Sequence, residues 1–405
     1  MLESRVLKLA VPLAVGALAL TACGGGSKGG TTAGSKPTYT IAYEGPLSGG
    51  NQQLGLNMKF AVQLAINQAN AGTTFGTLPF KLAFTSEDDQ GSATASPAAA
   101  QALIQNTSVV AVVGPAFSGA TKAAEPYFSA ANLATVSPSA TAPGLAQSGW
   151  TNFFRVVADD NSQGPADATY VKKVLHGTSV YSIDDASSYA AGLAGTFDSA
   201  AQADGIAVTH KTVPGTTQCQ AGTGNVQEYS AVAITVKTAN PSAVFYAGYY
   251  CDFALLAKAL RSAGYTGQLV SDDGSDDPHY VSQAGVSIAT GTVISCACQE
   301  TINSAGYQAF APQFQALAGF APGTYSAESY DATNAILSVM KGLGASVTRA
   351  AIVAGLHASG FSYAGISKTV QFQADGNYGG SAVYMYKVGS DGKINELGLI
   401  STLAG

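Results

Sequence analysis

Small hydroxyl residues follow two apolar runs in the stretch 109–143. Residues 109–113 are continuously apolar, which is typical of a strand buried on both faces of a parallel sheet, and Ser118 comes shortly after them. The second run leads into the loop Ser139-Ala140-Thr141. Ligands bind beyond the carboxyl ends of strands in open parallel sheets, and helix N-termini there attract anions. The stretch therefore predicts a site for a small ligand that carries a carboxylate.

Short apolar runs alternate with amphipathic runs on both sides of this stretch. The predicted elements are strands at 39–43, 80–84 and 109–113, and helices at 53–71 and 97–106. A β-α-β-α-β order implies right-handed crossovers and a doubly wound parallel sheet. The segment 159–165 is interpreted as a crossing into a second lobe, because another β/α series begins at residue 179.

The composition argues against several classes of function. The chain has 405 residues, which is enough for two domains, and only 11% of them are charged. The net charge is −6 and no basic stripe occurs, so nucleic acid is not expected as a partner. The sequence contains no G-x-S-x-G, H-E-x-x-H or phosphate-loop motif. We therefore expect neither an enzyme nor a cofactor.

The N-terminus has the pattern of an export signal. Arg5 and Lys8 precede an apolar region that ends in Leu20-Thr21-Ala22-Cys23. This ending resembles a bacterial lipobox, which implies a signal peptide at 1–22 and a lipid on Cys23. Residues 23–37 form a Gly/Ser/Thr-rich tether. We expect a protein anchored at the outer face of the cytoplasmic membrane; the alternative is an ordinary signal peptide followed by a chance cysteine.

Four cysteines remain after Cys23. They are Cys219, Cys251, Cys296 and Cys298. An even number in an exported protein suggests disulfides, with three possible connectivities. We favour 219–251 and 296–298; the second pairing closes a very small ring, so crossed pairings stay open. The four histidines are scattered, so no metal site is expected.

A series of short motifs carries a family resemblance. The motifs are GPLSG (45–49), EDD (87–89), VVGPAFSGAT (112–121), SPSATAP (137–143), FFRVVADDNSQGP (153–165), YAGYY (246–250) and YDATNAI (330–336). Their order and spacing resemble the Leu/Ile/Val-binding proteins, which are type I solute-binding proteins of branched-chain amino acid ABC transporters. The resemblance covers residues 37–400.

The resemblance implies an α/β fold of two doubly wound parallel-sheet lobes joined by three crossover strands, with ligand in the cleft between them. Lobe 1 would hold 38–156 plus 297–379, and lobe 2 would hold 157–296 plus 380–402. Cys296 and Cys298 would lie at a hinge, where a disulfide would stiffen the closing motion.

The resemblance also implies which residues contact the ligand. Ser118 would bind its carboxylate, unless it only caps its helix, and the loop residues Ser139, Ala140 and Thr141 would hold the carboxylate and the ammonium. Lobe 2 would contribute Tyr189, Tyr249 and Asp273, with the aspartate facing the ammonium. If the match to the family is shifted by one residue, Asp272 takes this role in place of Asp273.

Three positions depart from the family pattern. Leu54 stands where a large aromatic residue often lines the pocket for the ligand's side chain, so the specificity for that side chain stays open. Gly91 and Phe117 stand where the family has a disulfide in lobe 1. Asp88 and Asp89 are left unassigned.

The resemblance implies a monomeric, lipid-anchored protein that captures a small amino acid-like ligand and delivers it to the permease subunits of an ABC importer. A ligand-sensing receptor domain of the same fold, binding an amide or another small molecule, is the alternative. A hydrolase using Asp272 and Asp276 is the third interpretation, supported only by the spacing of two acids.

Overall fold

The computed structural model describes residues 36–215, 226–298 and 304–405. The predictions for the signal peptide, for most of the tether, for lipid attachment at Cys23 and for Cys219 lie outside these residues. The strands are β1 (Thr38–Gly45), β2 (Lys81–Asp88), β3 (Val109–Val113), β4 (Ala134–Ser137), β5 (Phe153–Arg155), β6 (Ser179–Asp184), β7 (Ala207–Thr212), β8 (Ala243–Ala247), β9 (Gln268–Ser271), β10 (Val293–Cys296), β11 (Tyr363–Ala364), β12 (Thr369–Val370), β13 (Tyr384–Val388) and β14 (Ile394–Leu399). The α-helices are α1 (Gln52–Ala71), α2 (Ser96–Gln105), α3 (Ser118–Ala130), α4 (Asp160–Lys173), α5 (Ser188–Ala203), α6 (Val226–Ala239), α7 (Tyr250–Ser262), α8 (Pro278–Ala284), α9 (Val286–Ala289), α10 (Ala305–Ala318), α11 (Ser326–Leu343), α12 (Arg349–Leu356) and α13 (Ile400–Leu403).

The first sheet is parallel throughout, with the strand order β2-β1-β3-β4-β5. Every residue of β3 is buried, as its unbroken valine and alanine sequence predicts. The predicted doubly wound lobe is confirmed here, because the strand order reverses direction after β2.

The second sheet has the order β14-β13-β10-β9-β8-β6-β7. Strands β6 to β10 are parallel to one another, whereas β13 is antiparallel to both β10 and β14. The predicted parallel-sheet lobe is confirmed, with an antiparallel pair of strands added at one edge. A short turn joins β13 directly to β14, and strands joined by a short turn must run antiparallel.

The chain passes between the two sheets three times: after β5, after β10 and before β13. Between the last two passages it returns to the first sheet, where α11 packs on α1 and α12 packs against β3 and β4. This arrangement gives two lobes. The residue boundaries given above for the lobes stay a prediction.

The segment 159–165, interpreted as the crossing into the second lobe, follows β5, and α4 begins within it at Asp160 and runs through Pro165. Gly164 serves close packing between α4 and α5: a Cβ on Gly164 would lie 2.6 Å from the backbone nitrogen of Phe197. A glycine in this sequence suggests a turn, but here it permits close contact between two helices. No helix within the described ranges is long and apolar enough to cross a membrane.

Candidate ligand-binding site

A cavity lies where the carboxyl ends of strands from both sheets meet. Its lining consists of Leu54, Ala116, Phe117, Ser118, Ser139, Tyr189, Tyr249, Asp273, Gly274 and Tyr325. Six of the eight predicted contact residues are in this set. Ala140 and Thr141 are buried in the loop beyond Ser139 and do not line the cavity.

Strand ends explain why these residues meet. In the first lobe, Ser118 follows β3 and Ser139 follows β4, and these two strands are neighbours. In the second lobe, Tyr189, Tyr249 and Asp273 follow β6, β8 and β9, which are also adjacent in their sheet. Residues far apart in sequence therefore converge at the sheet edges where ligands bind in this class of fold.

Ser118 is the first residue of α3, and its hydroxyl does not cap that helix. The capping position belongs to Phe117, and α3 has no side-chain cap hydrogen bond. The Ser118 hydroxyl instead accepts a hydrogen bond from the backbone nitrogen of Ala142 at 3.2 Å. The first backbone N–H groups of a helix have no partner within it, so this end of the cavity suits an anion.

The Arg155 side chain holds the loop after β4 in place. The guanidinium donates to the carbonyls of Ala140 at 3.1 Å and Ala142 at 2.9 Å. The Ser139 hydroxyl donates to the carbonyl of Ala116 at 2.7 Å, which ties this loop to the end of β3. These bonds fix the loop before any ligand arrives.

Thr141 is fully buried beside Asp160. Its hydroxyl lies near the Asp160 carboxyl. Burial raises the pKa of Asp160 to about 8, and the Thr141 hydroxyl acts to lower it. The ligand contact expected of Thr141 stays a prediction.

Asp273 is held by three hydrogen-bond donors. The Tyr189 hydroxyl and the Gln163 side-chain amide donate to Oδ1, each at 2.7 Å. The Tyr325 hydroxyl donates to Oδ2. Burial raises the pKa of Asp273, and hydrogen bonds from Tyr325, Tyr189 and Gln163 oppose that shift. The arrangement supports a buried carboxylate that still has acceptor capacity on Oδ2.

The neighbouring Asp272 serves a different purpose. Its carboxylate accepts a hydrogen bond from the backbone nitrogen of Gly248 at 2.8 Å and joins the ends of β8 and β9. Burial and the adjacent charge of Asp273 raise its pKa. Asp272 is not part of the cavity lining, which removes the geometric basis for a hydrolase that pairs it with Asp276.

Aromatic rings form one wall of the cavity. The Tyr189 and Tyr249 ring centroids are 5.5 Å apart, and the Tyr249 ring stacks on Phe117 at 4.3 Å. Gly91 lies directly against Phe117, since a Cβ on Gly91 would be 2.7 Å from the ring. The two positions where the family has a disulfide are therefore in contact here, and the phenylalanine ring fills the space.

Sequence reasoning missed Tyr325, Gln163 and Gly274. Tyr325 adopts a left-handed backbone conformation (φ 66°) directly before α11, and it reaches Asp273 only because the chain returns to the first lobe. No local motif marks this position. Gln163 lies inside the segment interpreted as a crossing between lobes, which predicts no contact with the site.

Asp88 and Asp89 hold the loop after β1 and β2. Asp88 accepts hydrogen bonds from the backbone nitrogen of Leu47 at 2.9 Å and from the Ser48 hydroxyl. Burial acts to raise the pKa of Asp88, but these hydrogen bonds and one from Gln90 lower it overall. Both acids have local structural roles.

The cysteine prediction is confirmed in one part. Cys296 and Cys298 form a disulfide. Pairing of Cys251 with Cys219 stays a prediction, because Cys219 is outside the described residues. Asp276 is close to both sulfurs of this disulfide, but bonded sulfurs are not thiolate metal ligands.

Two α/β lobes with a closed cavity between their strand ends define a two-lobed ligand-binding protein. A model of the periplasmic binding protein family matches residues 38–393, and the chain belongs to this family. It is a solute-binding protein and not an enzyme, which confirms the resemblance found in the sequence.

Relatives with names and solved structures agree. The Leu/Ile/Val-binding protein BraC3 of Rhizobium johnstonii is 27% identical over 65% of this chain and 68% of its own length. The branched-chain amino acid binding protein LivJ of Streptococcus pneumoniae, solved with isoleucine, is 25% identical with a TM-score of 0.78, covering 89% of this chain and 99% of its own. A solute-binding protein from R. palustris, solved with benzoate, shares the fold at 18% identity and a TM-score of 0.77, covering 90% and 96%.

Proposed function

We propose that this protein captures a small amino acid in the cavity between its lobes, and that lobe closure holds the ligand. The observation that carries this proposal is the opposed polarity of the cavity. One end has the Ser118 hydroxyl at a helix N-terminus, and the other end has the buried Asp273 carboxylate. An α-amino acid carries one anionic and one cationic group, which complement these two ends.

The charge of the lining supports a ligand that brings its own cation. None of the described residues that line the cavity is a lysine, arginine or histidine. A buried carboxylate without a basic neighbour is costly unless a ligand compensates it. A ligand ammonium would supply that compensation at the remaining acceptor site on Asp273.

The lining supports a ligand with an apolar part. Leu54, Ala116 and four aromatic rings contribute apolar surface beside the polar groups of the cavity. The similarity to Leu/Ile/Val-binding proteins favours branched aliphatic side chains.

A small aromatic carboxylate is the second candidate. Four aromatic rings line the cavity, and Asp273 already accepts three hydrogen bonds, which lessens its need for a ligand cation. The benzoate-bound structural neighbour has the same fold. A thermal-shift screen with the standard amino acids and a set of benzoates separates the candidates, because a bound ligand raises the melting temperature. Stabilisation by benzoates alone would overturn the amino acid proposal, and stabilisation by amides alone would favour the receptor interpretation.

Delivery to the permease of an ABC importer from a lipid anchor is the second part of the proposal. It is supported by the lipobox-like Leu20-Thr21-Ala22-Cys23 and by the family to which the chain belongs. A Cys23→Ala variant should move from the membrane fraction to the soluble fraction. If the variant stays with the membrane as the unaltered protein does, the anchor is not at Cys23.

A further inference from the structure

Phe117 and Tyr249 separate the cavity from the outer part of the cleft. Both rings line the inner cavity and also two outer cavities of about 410 and 290 Å³. The outer cavities are bordered by Gly91, Ala186 and Ser187, none of which lines the inner cavity. The stacked pair is therefore a partition between an inner and an outer compartment.

Phe117 is held in this partition by its surroundings. Its ring is 7% exposed and stacks on Tyr249 with centroids 4.3 Å apart and planes inclined by 24°. Gly91 has φ +66° and no side chain, and a Cβ there would lie 2.7 Å from the ring. Glycine at this position both permits the left-handed backbone and leaves the space that the ring needs.

The partition lies at one defined end of the inner cavity. Phe117 precedes Ser118 in the chain, and its partner Tyr249 leads to Tyr189 at 5.5 Å, which in turn donates to Asp273 at 2.7 Å. Phe117 is also the N-cap residue of α3, so it lies at the helix N-terminus where Ser118 begins. We therefore assign the rings to the Ser118 end of the cavity. On the proposed function, the Ser118 end receives the ligand's carboxylate.

We propose that Phe117 is a specificity-determining residue that restricts the inner cavity to ligands ending in a free carboxylate. Resting on the proposed function, this inference means that an amino acid fits, whereas a dipeptide extended at the carboxyl end collides with the ring. Beyond the ring, the outer cavities have room for that extension.

The first test needs no ligand. A Ser139→Cys variant places a thiol in the inner cavity, and the rate of its reaction with benzyl methanethiosulfonate reports passage through the partition. Phe117→Ala in that background should raise the rate by about tenfold, since thiol reactivity follows access. Phe75→Ala, which removes a ring remote from the cleft, is the matched control and should leave the rate unchanged. Equal rates with and without the Phe117 ring would overturn the partition.

The second test measures selectivity by calorimetry with leucine and leucylglycine. Phe117→Ala should gain about tenfold in affinity for leucylglycine relative to leucine, an effect of the size that a changed pocket wall produces. Phe117→Leu provides the same comparison with a smaller loss of volume if the alanine variant does not fold. No gain for the dipeptide while leucine still binds would overturn the specificity role. If the unaltered protein binds neither compound, the choice of an aliphatic amino acid fails, and the thiol rates still decide on the partition.

Discussion

The two lobes present opposite chemistry to the cavity between them. The first lobe offers Ser118, a helix N-terminus and a loop fastened by Arg155. The second lobe offers the carboxylate of Asp273 and the hydroxyl of Tyr189. One face therefore suits an anion and the other suits a cation.

On the proposed function, this difference is the reason to expect lobe closure, since neither face alone satisfies both charges of an amino acid. Tyr325 belongs to the helical segment that packs on the first lobe, yet it donates to Asp273 of the second. The Asp273 carboxylate therefore accepts hydrogen bonds from both lobes.

The largest effect is expected where the second lobe loses its charge. Asp273→Asn should weaken binding of an amino acid by about 1.5–3 kcal/mol, roughly 10- to 150-fold, because a charge-assisted hydrogen bond to the ammonium is lost. Calorimetry measures this. Asp272→Asn changes the adjacent residue, which does not line the cavity, and should leave affinity nearly unchanged. Equal losses of affinity in both variants would contradict the assignment of the ligand contact to Asp273 and not to Asp272.

A smaller effect is expected on the first lobe. Ser118→Ala removes one hydroxyl while the helix amides remain, so affinity should fall by about 1 kcal/mol, roughly fivefold. Ser129→Ala, near the end of the same helix, is the control and should have no effect on binding. If Ser118→Ala leaves the calorimetric affinity unaltered, the anion-binding role of this face rests on the backbone alone.

The smallest effect concerns buried acids behind both faces. Burial raises the pKa of Glu44 and Glu125 in the first lobe, to about 9 and about 8, and that of Asp160 in the second to about 8. In the folded protein these acids keep their protons above about pH 4–5, where the unfolded chain has released them. The free energy of unfolding should therefore fall as pH rises from about 5 to about 9. The melting temperature of the ligand-free protein, followed across this range, should decline by several degrees.

Glu125→Gln tests the cause of that decline. Glu125 accepts hydrogen bonds from Thr135 and from the Asn152 amide, and a glutamine can keep both contacts without a proton to lose. The variant should show a shallower decline than the unaltered protein. A melting temperature that rises with pH in both proteins would contradict the assignment of protonated acids to the core.

Strand ends made part of the site predictable from the sequence. Ser118 and Ser139 follow apolar runs where a parallel sheet exposes its carboxyl edge, whereas Tyr189 and Asp273 are implied by the family resemblance, and all four line the cavity. Tyr325 could not be found this way, because its contact with Asp273 depends on the chain's return between lobes. Long-range packing, not a local pattern, places it.

Two glycines have roles that the sequence does not reveal. Gly164 lies in the segment interpreted as a crossing between lobes, and in the fold it allows α4 to pack closely on α5. Gly91 indicated only a missing disulfide, whereas in the fold it makes room for the Phe117 ring. Whether a position needs glycine depends on which atoms pack against it, and the neighbouring residues in the sequence do not show this.

Calorimetric titration with three matched compounds tests the opposed-charge account most directly. Leucine carries both charges, 4-methylpentanoate lacks the ammonium, and 3-methylbutylamine lacks the carboxylate, while all three keep the branched side chain. We predict measurable binding of leucine and binding of the other two that is weaker by about tenfold or more, since each leaves one buried polar end unpaired. Binding of 4-methylpentanoate as tight as that of leucine would contradict the role assigned to Asp273.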